Sequence, residues 1–275
     1  MHEDIHILRL GYQDRANWLG LLYAIKAGWV AAPSPWHVEV SHGGPEELLD
    51  SMLEGRLDAA FLSPGAVAER SQALAPLGGW GLATEGRSDT ALMLAPQRID
   101  LIDGGSVSIM PDALGSTAEH MLRTLITPYY GVTLKLLMPE EEGYDPKGAR
   151  LMYGDSAQIE AARNPQEWVA EDMGVAWFVL TGLPSVWEML VGTRDLETRK
   201  PGASEQLQAL LKQALRVAQE QKASVQGEAA SRLGIKTADA KEFLARQRYT
   251  LGENEQKGLA RFLDHSSRAR AIRRS

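Results

Sequence analysis

The 275-residue sequence contains no cysteine, which excludes disulfides, thiolate nucleophiles, cysteine-ligated zinc and iron-sulfur clusters together. Positive charge is also short. Lys and Arg total 29 against 36 Asp and Glu, and the resulting net charge of -7 repels a phosphate backbone, so nucleic acid is not expected as a partner. No stretch supplies the roughly 20 predominantly apolar residues of a membrane-spanning helix. The most apolar segment, residues 175–191, is broken by Thr181, Gly182, Pro184, Ser185 and Glu188. The opening Met1-His2-Glu3-Asp4-Ile5-His6 carries two acids where a secretory signal carries Lys or Arg, so a cytoplasmic protein without membrane association is expected. The patterns G-x-G-x-x-G, G-x-x-x-x-G-K-S/T and G-x-S-x-G are missing too. Dinucleotide folds, P-loop triphosphatases and serine-hydrolase elbows lose their main support with them.

What is present reads as an α/β protein. Residues 5–11 alternate apolar and polar side chains and end at a glycine, after which residues 17–27 carry apolar side chains at helical spacing. A strand at 37–40, a helix opened by Pro45, a strand at 57–62 and a helix opened by Pro64 continue the pattern. Strands alternating with single helices predict a mostly parallel sheet covered on both faces, with ligands at the carboxyl ends of its strands. Two longer strands, 74–83 and 90–95, precede a polar, turn-rich stretch at 96–105 that reads as a crossover into a second lobe. Strands at 107–110, 132–137 and 149–153 and helices at 114–126, after Asp155 and at 174–180 make that lobe α/β as well. The strand 186–191 returns to the first lobe, and helices at 204–226, 238–248 and 253–264 complete it. The expected division is therefore 1–95 plus 186–275 for lobe 1 and 96–185 for lobe 2. The arginines Arg268, Arg270, Arg273 and Arg274 read as a solvated terminal run.

The run His2-Glu3-Asp4-Ile5-His6 spells H-E-x-x-H but opens into a strand. There, residues four apart lie roughly 13 Å from each other at about 3.3 Å per residue, too far to share an ion, so no metal is expected. The polar residues that remain sit at strand-to-helix junctions. They are Gln13, Asp14, Arg15 and Asn17 after the first strand, Ser63 after the third, and Ser88, Asp89 and Thr90 before the fifth. Ser116 and Thr117 enter one helix; Gly154, Asp155 and Ser156 enter another. Helix N-termini present unpaired N–H groups and a positive dipole end, which suits a ligand carrying carboxylates. The same residue types also cap helices everywhere, so each junction carries both readings.

At these junctions the sequence resembles the menaquinone-biosynthesis enzymes of the futalosine pathway, with chorismate dehydratase nearest by motif. The resemblance rests on residues 9–19 (RLGYQDRANWL), 57–63 (LDAAFLS), 154–157 (GDSA), 177–184 (WFVLTGLP) and 249–253 (YTLGE), in order and across nearly the whole chain. It implies a two-lobed fold like type II periplasmic binding proteins with a cleft between the lobes. It also implies a carbon-oxygen lyase that dehydrates chorismate to 3-[(1-carboxyvinyl)oxy]benzoate with no cofactor. Carried over by position, the resemblance makes Asn17 and Thr90 contacts to the reacting part of the substrate. Ser116, Gly154 and Asp155 become binding residues by the same mapping. From their own chemistry at the junctions, Ser63 and Thr117 are expected to join them, Ser116 and Thr117 holding one carboxylate at a helix end, and Arg15 or Arg87 to be a forked partner for the other. The chain departs from the family at Arg15-Ala16-Asn17-Trp18-Leu19-Gly20, where a Tyr-Leu-Asn-Thr-Leu-Pro-like run is common, and at Trp187-Glu188, in a return strand that is otherwise apolar. Two other readings stay open: a carboxylate-binding protein of the same fold without turnover, and an enzyme like 1,4-dihydroxy-6-naphthoate synthase. The oligomeric state is not legible.

Overall fold

The computed structural model describes residues 5–163 and 166–274, the side chains of 127, 128 and 267–274 excepted. His2 and the side chains of the terminal arginines therefore lie outside the described residues. In chain order the elements are β1 (His6–Tyr12), a 3-10 turn (Ala16–Trp18), α1 (Leu19–Lys26), β2 (Trp36–His42), α2 (Pro45–Leu53), β3 (Ala59–Leu62), α3 (Pro64–Glu69) and β4 (Leu74–Thr84). Next come β5 (Ala91–Ala95), β6 (Ser106–Ile109), α4 (Thr117–Leu125), β7 (Lys135–Leu137), β8 (Arg150–Tyr153), α5 (Asp155–Arg163), β9 (Val169–Asp172) and α6 (Met173–Thr181). The chain ends with β10 (Ser185–Thr193), α7 (Leu196–Arg199), α8 (Ala203–Glu220), α9 (Lys222–Leu233), α10 (Thr237–Arg246), β11 (Arg248–Thr250) and α11 (Glu253–Arg274).

These elements form two compact units. Unit 1 comprises the residues up to Leu82 and Glu188–Leu251; unit 2 comprises Ala83–Trp187 and the residues from Gly252 onward. The first crossover thus falls near the end of β4 rather than at 96–105. The reason is β5, which pairs antiparallel with β8 and β9 and so belongs to the second sheet. The return falls inside β10, and α11 joins unit 2 instead of lobe 1 because it packs on α4.

Unit 1 is built on a six-stranded sheet of order β11-β4-β10-β3-β1-β2. β1 runs parallel to both neighbours, with Leu10 opposite Val40 on one side and Ala59 on the other. Leu8 and Leu10 are fully buried, which places the carboxyl end of β1, and the polar segment after it, at a covered strand end. A Cβ at Gly11 would lie 2.5 Å from the Leu57 side chain and 2.9 Å from that of Leu48, so both leucines would have to move to admit a larger residue there. A helical layer packs Ala16 and Leu19 against Ala218, Val225, Ala229, Leu233 and Phe243 of α8, α9 and α10. Each large side chain buried there contributes about 1.5–3 kcal/mol. The sheet is mixed rather than mostly parallel, because β10 runs antiparallel to β3.

Unit 2 carries a five-stranded sheet of order β7-β6-β8-β5-β9. Here β6 is parallel to β7 and β8, and β5 runs antiparallel to its neighbours β8 and β9. The expected helix over 204–226 is two helices broken at Gln221, and the short strands β9 and β11 arise where no strand was read. No helix among the described residues is long and apolar enough to cross a membrane.

Candidate functional site

In unit 1 the polar segment after β1 turns inward. Gln13, Arg15 and Asn17 are all buried, and Asn17 is only 1% exposed. Arg15 reaches Glu188 on β10, where its guanidinium lies 3.1 Å from Oε1, and it also donates to the Gln13 side-chain oxygen. The indole of Trp18 donates to the other Glu188 oxygen at 3.2 Å. Glu188 is fully buried, so its charge is held by a guanidinium and an indole N–H in place of water. Arg15 and Glu188, one from each of the two segments where the sequence departs from the pattern it resembles, are therefore partners of each other. Arg15, expected to meet a substrate carboxylate, is committed to a protein carboxylate.

Asn17 sits within the 3-10 turn. Its backbone oxygen accepts from the Tyr249 hydroxyl at 2.7 Å, a phenol that burial pushes above its ordinary pKa. The turn is N-capped by Arg15 and α1 by Trp18, neither through a side-chain hydrogen bond, so Asn17 caps neither element. Its side-chain oxygen is buried and has no hydrogen-bond partner. An unsatisfied buried acceptor costs about 1–3 kcal/mol and calls for a ligand or water to meet it. Ser63, by contrast, is the N-cap of α3, its hydroxyl accepting from Ala66 N–H at 3.4 Å.

Asp14, beside this cluster, accepts from Lys26 at 2.9 Å and Arg232 at 3.0 Å. Burial disfavours its charge, but hydrogen bonds and attraction from Lys26 and Arg232 outweigh that and hold the carboxyl below its ordinary value. A carboxyl depressed on folding adds stability above its unfolded value, about 3.9, and loses it as pH falls through the folded value. The melting temperature is expected to fall below about pH 4, and Asp14→Asn to flatten that acid limb. An acid limb identical in the variant would show that Asp14 does not contribute to it.

In unit 2 the turn Ser88-Asp89-Thr90 is held by Asp172. The Ser88 and Asp89 N–H groups donate to its Oδ2 at 3.0 and 2.9 Å, and the Ser88 hydroxyl donates to Oδ1 at 2.9 Å. Asp172 also N-caps α6, accepting from Gly174 N–H at 2.8 Å. Burial raises the Asp172 pKa, opposed by these same hydrogen bonds. Asp89 takes a left-handed φ of 63° and pairs with Arg87, whose side chain is largely exposed. Thr90 is buried, and its backbone oxygen accepts from Gly154 N–H at 2.8 Å. Gly154 has a φ of 95°, which a side chain would strain, and Asp155 follows it in the first turn of α5. Ser116 N-caps α4, its hydroxyl accepting from Glu119 N–H at 3.3 Å and donating to Ala113 O at 2.6 Å. The Thr117 hydroxyl donates to the backbone oxygen of Trp187, whose indole donates to Thr84 at 3.0 Å.

The residues expected from sequence thus fall into Arg15, Asn17 and Ser63 in unit 1 and Arg87, Thr90, Ser116, Thr117, Gly154 and Asp155 in unit 2. The structure adds Glu188 and Asp172. A charge inside the apolar run Val186-Trp187-Glu188-Met189-Leu190 is the sequence signal for the first. An Asp directly before a helical apolar run is the signal for the second. His6 lies in β1 with its ring 4.9 Å from that of Trp36.

Three solved structures show the fold. A protein from Archaeoglobus fulgidus superposes with a TM-score of 0.77 at 18% identity, covering 99% of this chain and all of that one. A Candida albicans gene product, described as having the generic periplasmic binding protein fold, gives 0.69 at 13% identity over 97% of this chain and 91% of that one. The periplasmic aliphatic sulphonate binding protein of Escherichia coli gives 0.65 at 12% identity over 97% of this chain and 87% of that one. The architecture is therefore that of the two-lobed, type II periplasmic-binding-protein-like α/β fold. None of the curated proteins matches the sequence. A family profile described as menaquinone biosynthesis does match, over residues 8–268, and on that extent the chain belongs to the menaquinone-biosynthesis family.

Proposed function

We propose that the protein is a carbon-oxygen lyase of menaquinone biosynthesis acting as a chorismate dehydratase. The observation that carries this reading is Asn17, a buried amide whose oxygen has no partner, at the strand end where the fold class places ligands and where the resemblance places a substrate contact. In the reaction the carbon bearing the enolpyruvyl ether loses its proton, and the C–O bond to the neighbouring hydroxyl breaks. The C–H electron pair becomes a ring double bond, and the proton and hydroxide leave as water. Aromatisation supplies much of the driving force, so the protein mainly orients the substrate and assists proton movement.

In unit 1, Asn17 is assigned to the departing hydroxyl, whose O–H its unpartnered side-chain oxygen accepts, with its amide N–H donating to the substrate's negative charge. In unit 2, Thr90 is assigned to the reacting ring, with Gly154 and Asp155 shaping its surroundings. The first turn of α4, behind Ser116 and Thr117, is assigned to a carboxylate. Of the two candidate arginines, Arg87 is assigned to the other carboxylate: both pair with a protein carboxylate, Arg15 with buried Glu188 and Arg87 with Asp89, but the Arg87 side chain is largely exposed and can swing to a ligand.

Incubation with chorismate should yield the aromatic product, read by ultraviolet absorbance. Asn17→Asp keeps the size of the side chain but removes its amide donor and adds repulsion against an anion. Turnover of the folded variant should fall tenfold or more, as expected for one lost hydrogen bond of about 1.5 kcal/mol, and the melting temperature should fall with it, because position 17 is buried and the new carboxylate is desolvated. Chorismate bound without product would support the carboxylate-binding protein instead. A stable Asn17→Asp variant with full turnover would remove Asn17 from the site.

A further inference from the structure

Unit 1 contains a second feature that the reading above leaves unused. The end of α8, the start of α9, α10 and the segment after it line an open hollow of about 360 Å³, with Leu215, Ala218, Val225, Leu244 and Tyr249 among its apolar residues. This lies within the usual range for small-molecule sites, about 300–1,000 Å³, and the apolar wall is their usual lining. The polar part of the lining is one-sided. Its charged lining residues are Lys222 and Lys241, its amides Gln219, Gln226 and Gln247, and no acidic residue lines it.

The charge on the rim is all positive. The neighbouring acids are engaged elsewhere, Glu220 by Arg216 at 2.6 Å and Glu242 by Arg246 at 3.5 Å. Neither Lys222 nor Lys241 has an ion-pair partner among the described residues. Lys222 is moreover the first residue of α9, where a cation opposes the helix dipole. That end has no side-chain cap and no acid in its first turn. In a chain of net charge -7, an uncapped helix N-terminus and two unpaired lysines around an apolar hollow form a charge pattern complementary to a carboxylate on an apolar body.

We propose that this hollow is a binding site for a medium-chain or small aromatic monocarboxylate, its head group at Lys222 and Lys241 and its body against Leu215, Val225, Leu244 and Tyr249. The proposal stands apart from the dehydratase reading, since none of these residues is assigned to chorismate.

Octanoate is the probe, titrated calorimetrically into the full chain, with octanol as the neutral analogue. Octanoate should bind at least tenfold more tightly than octanol. The double variant Lys222→Glu/Lys241→Glu, altered at exposed positions, should lose at least tenfold in octanoate affinity, and Lys222→Gln/Lys241→Gln should do the same if the charge reversal impairs folding. Amide hydrogen exchange should slow within residues 215–226 and 241–249 on adding octanoate. Equal affinity for octanol, unchanged affinity in a folded double variant, protection elsewhere in the chain, or no binding at millimolar octanoate would each overturn the proposal.

Discussion

Replacing Glu188 by alanine should destabilise unit 1 by about 3–5 kcal/mol, the typical result of removing one partner from a buried ion pair. Arg15 is 8% exposed and would keep its charge in an interior with its carboxylate gone, and the Trp18 indole N–H would lose its acceptor with it. Arg15→Met should cost a similar amount, because it strands the fully buried Glu188 carboxylate. The double replacement Arg15→Met/Glu188→Leu should recover most of the loss, since an apolar pair of similar volume removes both desolvation penalties. Denaturant unfolding of the four proteins closes a double-mutant cycle with a large favourable coupling. Additive losses in that cycle would mean that the two side chains do not depend on each other, and the account of the cluster would fail.

Asp172→Ala should be the most damaging single change in unit 2, at about 3–4 kcal/mol. It removes the cap of α6, the Gly174 N–H bond included, at about 0.5–2 kcal/mol, and leaves the Ser88 and Asp89 N–H groups without their acceptor, at about 1–3 kcal/mol for each that stays buried. Relief of the carboxylate's own burial offsets part of that sum. Asp172→Asn keeps one acceptor oxygen and should lose about half as much. It also tests the sign of the pH effect. A carboxyl raised on folding holds its proton to higher pH than in the unfolded chain, so its contribution to stability declines as pH rises from about 3.9 through the folded value. The variant should lack that decline. A loss below 1 kcal/mol in Asp172→Ala would show that water replaces the carboxylate at the turn.

Local signals carried much of this architecture. Pro45 and Pro64 each open the helix that their position predicts, and the alternation through Leu8 and Leu10 marks β1. The features that escaped reading are those whose cause is distant in sequence. β5 reads as a strand from its own residues, yet only its pairing with β8 and β9 decides which sheet it joins. β9 ends in Glu171 and Asp172, charges that disguise a strand, and β11 is three residues long. At the candidate site, the sequence singles out Arg15 and Glu188 separately as unusual residues. That each answers the other across 173 positions is a property of β10 lying in the same sheet as β1. The hydroxyls of Ser63, Ser116 and Thr117 were readable as caps or as ligand contacts, and the bonds they make are with the protein.

The placement of α11 has a consequence for synthesis on the ribosome. Unit 1 lacks β10, β11 and its helical layer until Leu251 has emerged, and unit 2 still lacks α11 at that point. Trp177 meets the Phe262 ring at 6.1 Å, and Gly258 approaches so closely that a Cβ would lie 2.2 Å from Pro184 O. The nascent middle of the chain therefore waits with an uncovered apolar surface around α4 and α6 while more than sixty further residues of unit 1 are made, a number set by the span Glu188–Leu251. α11 is made only after all of unit 1 has been translated, so unit 2, whose strands precede much of unit 1 in the chain, is completed after it.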